Sequence, residues 1–363
     1  MAAQNNLNLV LGLSTQFDFV RSKYNLGTDE KVTHEQYRAF ANIEYSINRN
    51  TVVNLGGLLE KNNFSDNELS PRASLTHAFN RHHKIRVGIS QAYRTPFILE
   101  ARGSQSLYQD LTIGGATTGS SIRENVFGST VYRNVDLLNE KITSREIVYL
   151  GEFIDSSLFF NARFFHDDIS DYIDTLPETD TLAEPNEILV PNNLDLDPDD
   201  PNFGVQEVYV YQNPWKSSKT GLELELDYHV DPSLRLIASG AIINISSNWD
   251  ALVRSAPQHS FSLLATKRFN EKYNGSLGYY YVDAFKWTDA RPRPTDGPTT
   301  EEANISTEEY HTLDLRASRN FSFNKSKGSL SIVLKNLLDD YSDYQAAPRG
   351  SSAPVVIQNT TCL

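Results

Sequence analysis

Apolar and polar residues alternate with a period of two through stretch after stretch of this chain, and no other feature restricts its fold so tightly. The clearest run begins at Leu7, where Leu7, Leu9, Leu11, Leu13, Thr15, Phe17 and Phe19 alternate with Asn8, Gly12, Ser14, Gln16 and Asp18. Successive side chains of a strand point to opposite faces, so such a run presents one apolar and one polar surface. At about fifteen residues it is long enough to cross a bilayer with tilt. The stretch from Leu69 to Pro96 adds a directional clue. There Ala73, Leu75, His77 and Phe79, then Ile85, Val87 and Ile89, flank the polar tetrad Asn80 to His83, which predicts a hairpin with a short turn. Past Tyr93 the alternation stops for more than forty residues and resumes near Ile142. One end of the hairpin is tight and the other opens onto a long loop. This asymmetry recurs down the chain and is the pattern of an outer-membrane β-barrel, with short periplasmic turns and long extracellular loops.

Taken in order, the pattern predicts thirteen antiparallel strands in up-and-down succession. Tight turns are expected at Asn48 to Asn50, Asn80 to His83, Ile154 to Ser156, Asn270 to Lys272 and Asn324 to Lys327. Loops are expected at Thr28 to Glu30, after Arg94, from Tyr172 to Gly204, from Trp249 to Arg254 and from Thr288 to Ser306, with single strands over Thr51 to Phe64 and Tyr273 to Trp287. The strand ending near His229 is the least ambiguous, because Leu222, Leu224, Leu226 and Tyr228 alternate with Glu223, Glu225 and Asp227. Three carboxylates on one face would be costly in a dry core. A wet lumen accommodates them, with the leucines toward lipid. A jelly roll or immunoglobulin-type sandwich would show shorter strands and no alternation of long and short connections.

Composition sharpens this reading. A helical membrane protein needs apolar runs of about 20 residues, and none is present. The polar mean hydropathy of −0.44 does not exclude the membrane, because barrel strands average apolar and polar residues. The net charge of −13 argues against a nucleic-acid partner, which selects basic grooves. The single cysteine, Cys362, supports neither an internal disulfide nor a multi-cysteine metal site. The first residues carry no basic region followed by an apolar one, so no signal peptide is read there. Aromatic pairs and triplets, Phe159-Phe160, Phe164-Phe165 and Tyr279-Tyr280-Tyr281, suit the interfacial girdles of a barrel. No nucleophile elbow, phosphate loop, HExxH or paired-cysteine motif occurs, so neither an enzyme nor a cofactor is expected. The acidic stretch Asn193 to Asn202 offers alternating carboxylates suited to a hard cation, but without the features of an EF-hand it fits a solvated loop. His82 and His83 are adjacent at a strand end and point to opposite faces, which disfavours joint chelation.

Six motifs, in order over about 270 residues, resemble one family. Ser70-Pro71-Arg72, followed by Gly88, Ala92-Tyr93-Arg94, Pro96 and Glu100, is similar to a barrel hairpin of the TonB-dependent outer-membrane receptors. Glu140 to Glu146 with Gly151-Glu152-Phe153, and Phe164 to Asp171, resemble the two strands that follow it. Gly221-Leu222-Glu223 resembles the family's G-x-E strand, Ala256-Pro257-Gln258-His259 the start of a later one, and Leu313-Asp314-Leu315 with Asn336-Leu337-Leu338-Asp339 and Tyr341 its closing signature.

The resemblance implies a partial receptor barrel over residues 1–345, thirteen strands of the family's 22, with an aberrant or truncated tail at residues 346–363. A plug domain, a TonB box and a terminal aromatic strand would all be missing. It further implies a transport role in the outer membrane, with TonB and outer-membrane lipid as partners. The small-molecule ligand would be an iron chelate, or less readily cobalamin or an oligosaccharide. A passive porin or surface adhesin is the competing role. Arg94, Arg102, Tyr108, Arg123 and Tyr132, in and beside the long loop, offer guanidinium forks and stacking rings suited to an anionic aromatic chelate. The same residues also fit ordinary strand-end anchors.

Overall fold

A computed structural model describes residues 6–26, 28–103, 105–113, 116–128, 137–177, 208–288, 304–323, 326–338, 342–345 and 355–358. In chain order the elements are β1 (Leu7–Ser22), α1 (Lys23–Leu26), β2 (Thr28–Asn48), β3 (Thr51–Asn62), β4 (Glu68–Ala78), β5 (His83–Arg94), α2 (Ile98–Arg102), β6 (Gln105–Ile113), β7 (Ala116–Gly128), β8 (Glu140–Phe153) and β9 (Leu158–Pro177). They continue with β10 (Val208–Asp231), β11 (Leu234–Ser247), α3 (Asp250–Val253), β12 (His259–Arg268), β13 (Tyr273–Val282), β14 (Phe285–Thr288), β15 (Asn304–Thr307), β16 (Tyr310–Phe323), β17 (Ser326–Leu334), β18 (Ser342–Gln345) and β19 (Val355–Gln358).

Thirteen of these strands form one antiparallel path, β1-β2-β3-β4-β5-β8-β9-β10-β11-β12-β13-β16-β17, as the alternation predicts. Among the described residues β1 and β17 each pair on one side only, so the sheet is open. The remaining strands belong to the connections. β6 and β7 form a hairpin inside the loop after β5, and β7 touches the start of β10 through Val208↔Asn125 and Val210↔Gly128. β14 pairs with β15, and β18 with β19, apart from the main sheet.

Four of the tight turns share one device, and Asn324, which opens another expected turn, lies outside the described residues. An Asn or Asp opens the turn, and its side-chain oxygen accepts backbone N–H groups that the ladder leaves unpaired. Asn48 Oδ1 accepts from Asn50 at 2.8 Å, and Asn80 Oδ1 from His82 and His83 at 2.8 and 3.0 Å. Asn270 Oδ1 accepts from Lys272 and Tyr273 at 2.9 and 3.0 Å. At the β10–β11 turn Asp231 Oδ1 takes the Ser233 and Leu234 amides at 2.6 and 3.0 Å and the Ser233 hydroxyl at 2.6 Å. These bonds, led by the Ser233 hydroxyl, pull the Asp231 carboxyl down to about 2. The β8–β9 turn is built differently, with Ile154, Asp155 and Ser156 all at positive φ.

Several connections differ from the sequence reading. The Thr28 to Glu30 segment is strand, because β1 extends far enough to pair Ser22 with Thr28. Tertiary pairing here overrides weak local propensity. For the same reason β9 runs on to Pro177, paired with Tyr209. The run Tyr273 to Trp287 is broken at Asp283, whose carboxylate accepts the Ala284 amide at 3.0 Å and turns the chain out of the sheet into β14. The Trp249 to Arg254 connection holds α3.

No second layer covers the sheet among the described residues. Large hydrophobics stand exposed along one face, Leu13 at 86 % and Phe19 at 65 % among them, whereas buried side chains are few. Leu26, Pro96, Ala101 and Leu137 gather in the loop-end segments, while Val148 and Phe165 sit within the sheet.

Candidate functional site: the polar face and its loop end

The pairing register divides every strand into two faces. Leu224 lies opposite Ala162 and Gly240, on the face that carries Leu222, Phe164 and Ile242. Glu223 lies opposite Arg163 and Ala241, on the other face. Glu223 and Leu224 therefore separate, as the alternation predicts. The aromatic clusters separate too. Phe164 joins the apolar face and Phe165 the polar one, and Tyr280 points away from Tyr279 and Tyr281. Only alternate members of each cluster can serve a girdle on the apolar face.

Charges on the polar face are paired in cross-strand chains. Arg163 reaches Glu146 at 2.9 Å and Glu223 at 3.0 Å, and Arg86 meets Glu146 at 2.8 Å. Arg235 holds Asp227 through two bonds of 2.8 and 2.6 Å. The Arg163 guanidinium also stacks over Phe165, 4.6 Å from the ring centroid. That ring lies against Gly221. A Cβ there would sit 2.5 Å from Phe165 Cζ and 3.0 Å from the Ile242 carbonyl oxygen, so a side chain is excluded. The G-x-E motif thus has a packing reason: glycine admits the ring, and the glutamate two residues on pairs with the arginine above it.

At the loop end a separate cluster stands at the root of the long connection. Arg94 ends β5 directly opposite Glu140, which starts β8. Its guanidinium donates to Glu140 at 2.6 and 2.7 Å and to Glu100 of α2 at 3.0 and 3.1 Å. Bidentate pairing fixes geometry as well as charge. Glu100 accepts the Phe97 amide at 2.8 Å, capping α2, and Glu140 accepts the Ile173 amide at 2.9 Å. Pro96, fully buried, lies between the end of β5 and α2. Beside it Thr95 donates to Glu60 at 2.6 Å, and Glu60 also takes Arg38 and Gln36, both at 2.7 Å. On the far side Asn213 bridges Leu138 and Asp171 by donating to their carbonyls at 3.0 and 2.6 Å. Trp215 stacks on Trp249 at 5.5 Å and donates its indole N–H to Asp174 at 2.8 Å. In the loop after β13, the His259 ring beside Asp283, 2.9 Å away, holds that carboxyl below its usual range.

The expected ligand residues distribute as follows. Arg94 is a clamp between two carboxylates at the loop root. Arg102 ends α2, with its guanidinium 5.4 Å over the Phe64 ring. Tyr108 lies on β6 opposite Ile122, the neighbour of Arg123 on β7, so the hairpin backbone brings these two positions together. Tyr132 and the acidic stretch 193–202 lie outside the described residues. Among the described residues no group of three His, Cys, Asp or Glu side chains is placed to hold a metal ion. His82 and His83 take separate partners, Glu152 at 3.2 Å and the Tyr149 hydroxyl at 2.8 Å, in keeping with their opposite faces. Sequence reasoning missed the Glu100 and Glu140 partners of Arg94. Their signal was present, since both glutamates lie within the quoted motifs.

The family model described as TonB dependent receptor-like, beta-barrel matches residues 3–337. A search of curated proteins found no match. Among solved structures the chain is similar to a mutant ferric enterobactin receptor from Pseudomonas aeruginosa, with a TM-score of 0.65 and 14 % identity over 93 % of this chain and 46 % of that one. The siderophore receptor PirA from the same organism gives a TM-score of 0.62 and 14 % identity over 92 % of this chain and 51 % of that one. A further mutant of the enterobactin receptor, in complex with enterobactin, gives a TM-score of 0.62 and 14 % identity over 94 % and 47 %. At such identities the likeness concerns the fold. The chain spans about half the length of these receptors.

Proposed function

Because this chain belongs to the TonB-dependent receptors, we propose that its sheet is part of the wall of an outer-membrane barrel that takes up an iron chelate with energy relayed through TonB. Family membership supports the bacterial outer membrane as the location and transport, rather than catalysis, as the role. One observation carries the reading. Thirteen consecutive strands keep an apolar face bare and a polar face cross-linked by ion pairs, which is what lipid on one side and a wet lumen on the other require. In lipid the backbone must be paired internally, and the up-and-down ladder pairs it strand by strand.

The iron chelate is supported by the solved receptors, one of which holds enterobactin, and by the arginines and tyrosines of the long connection. In this reading Arg94 positions the connection by clamping Glu100 and Glu140, while Arg102, Tyr108, Arg123 and Tyr132 meet the ligand. The test is ferric-siderophore uptake by cells carrying the receptor. Arg102→Ala and Arg123→Ala are each expected to weaken ligand affinity about tenfold, the loss of a charge-assisted hydrogen bond. Uptake is expected to cease in cells lacking TonB. Unchanged uptake in both variants, with loss of a sugar substrate instead, overturns the iron reading, and uptake that persists without TonB points to a passive porin.

A further inference from the structure

Toward the loop ends of β8 to β11 the apolar face turns polar, and a groove of about 450 Å³ opens there. The register sets Lys141 opposite Ser170, Thr143 opposite Asp168, Asp168 opposite Ser218, and Ser218 opposite Ser246. These side chains therefore share the face that carries Ile147, Phe164, Leu222 and Ile242 a few residues farther along the same strands. Ile169, Lys216, Ser217, Ser247 and Asn248 complete the lining.

The charge balance of the groove is unusual for a chain of net charge −13. Asp168 is the one carboxylate in the lining, and it is engaged by Arg145 at 2.5 Å and His166 at 3.1 Å. The Ser170 hydroxyl donates to the neighbouring Asp171 at 2.6 Å. Neither Lys141 nor Lys216 has an ion-pair partner among the described residues. The groove thus offers two uncompensated ammonium groups and a row of hydroxyls, with one polar row, Arg145, His166, Thr220 and Asn244, between it and an exposed apolar wall. The stacked pair of Trp215 and Trp249, next in sequence to Lys216 and Asn248, sits at the same strand ends. Tryptophans concentrate where a membrane meets water.

We propose that this groove seats the phosphate-bearing headgroup of an outer-leaflet lipid, with its acyl chains on the apolar wall below. The inference rests on the assignment of the apolar face to lipid. A soluble anion would use the lysines and hydroxyls but not the wall, whereas a lipid uses both. The site lies on the opposite face from the paired charges of Arg163 and Glu223, so it is separate from any path through the barrel.

The test uses the receptor in detergent micelles, titrated with a diphosphoryl glycolipid, its dephosphorylated form and inorganic phosphate, with thermal stability and native mass spectrometry as readouts. The diphosphoryl lipid is expected to bind and raise the melting temperature, and the other two are not. Lys141→Gln with Lys216→Gln is expected to weaken that binding by about 10- to 30-fold, from the attraction each lysine supplies near an anionic surface. Ser246→Asp, which adds a carboxylate to the groove, should act in the same direction. Arg49→Gln with Lys272→Gln, the same charge change at the tight-turn end, should leave binding unchanged. Equal binding of the dephosphorylated lipid, equal effects of free phosphate, or an unaffected double lysine variant would overturn the proposal while leaving the barrel intact. A receptor that fails to enter lipid vesicles as a heat-modifiable species would overturn the lipid-face assignment itself, and this site with it.

Discussion

The two faces of the sheet are built from the same strands yet obey opposite rules. On one, Leu7, Leu9, Leu11 and Leu13 stand 54–86 % exposed with nothing packed on them. On the other, Arg38, Arg86, Arg94, Arg163 and Arg235 each reach a carboxylate at 2.6–3.0 Å. A protein in water would bury the first face, since exposed apolar patches of this extent mark a membrane or protein partner. The second shows that a half-wet face is ordered by charge rather than by apolar packing. The contrast is between two solvents, and substitutions on adjacent residues should reveal it.

The largest effect is expected from exchanging the rules. Leu224→Arg on the apolar face should destabilise the folded receptor in vesicles by about 2–4 kcal/mol if it lies near the bilayer midplane. Glu225→Lys, one residue away on the polar face, should stay within about 0.5 kcal/mol. Urea unfolding in lipid vesicles measures both, and equal costs would break the comparison. Next comes packing within the polar face. Gly221→Val drives a side chain into Phe165 and the Ile242 carbonyl and should cost about 1–3 kcal/mol, whereas Gly240→Ala, whose Cβ meets nothing closer than 3.4 Å, should cost less than a third of that.

A smaller effect concerns the loop root. Arg94→Ala leaves Glu100 and Glu140 without their shared partner, and partial exposure limits the cost to about 1–2 kcal/mol. Proteolysis within the connection from Thr95 to Asn139 should accelerate in step. Adding Glu140→Ala should recover part of the loss, and a strictly additive double variant would show that the two residues act independently.

The smallest effect is expected at the tight turns. Asp231 has a folded-state pKa of about 2, below its unfolded value of about 3.9. The stability it contributes is therefore complete above the unfolded value and is lost as pH falls through about 4 toward 2. Melting curves over that window should be steeper for the parent than for Asp231→Asn, and identical slopes would remove the turn carboxylate from the account.

Strand content and facing were legible because period two is written into residues such as Leu222 to Tyr228, and a shift of one residue would have inverted both faces. The tight turns were legible because Asn48, Asn80 and Asn270 carry their own acceptor. The loop end was not, for a physical reason. Arg94, Glu100 and Glu140 read singly as loop charges, and only the β5–β8 pairing brings them into one cluster. The β6–β7 hairpin escaped because β7, rich in Gly, Ser and Thr, carries no sustained alternation, and the short alternation of Leu107, Leu111 and Ile113 in β6 has no apolar partner strand beside it. Arg94, expected at a ligand, is held between the carboxylates of Glu100 and Glu140, so a motif residue at a strand end can also anchor the connection.

The most direct test of the account is a single-cysteine scan along β10 from Thr220 to Tyr228, in a receptor folded into vesicles with Cys362 replaced by serine. Each cysteine is labelled with an environment-sensitive fluorophore and challenged with a lipid-phase and a water-phase quencher. Labels at 222, 224 and 226 are predicted to be quenched from lipid and those at 223, 225 and 227 from water, in strict alternation. A signal that varies smoothly along the strand, or lipid quenching at Glu223 and Leu224 alike, would contradict a wall with one face in the membrane and the other in a wet lumen.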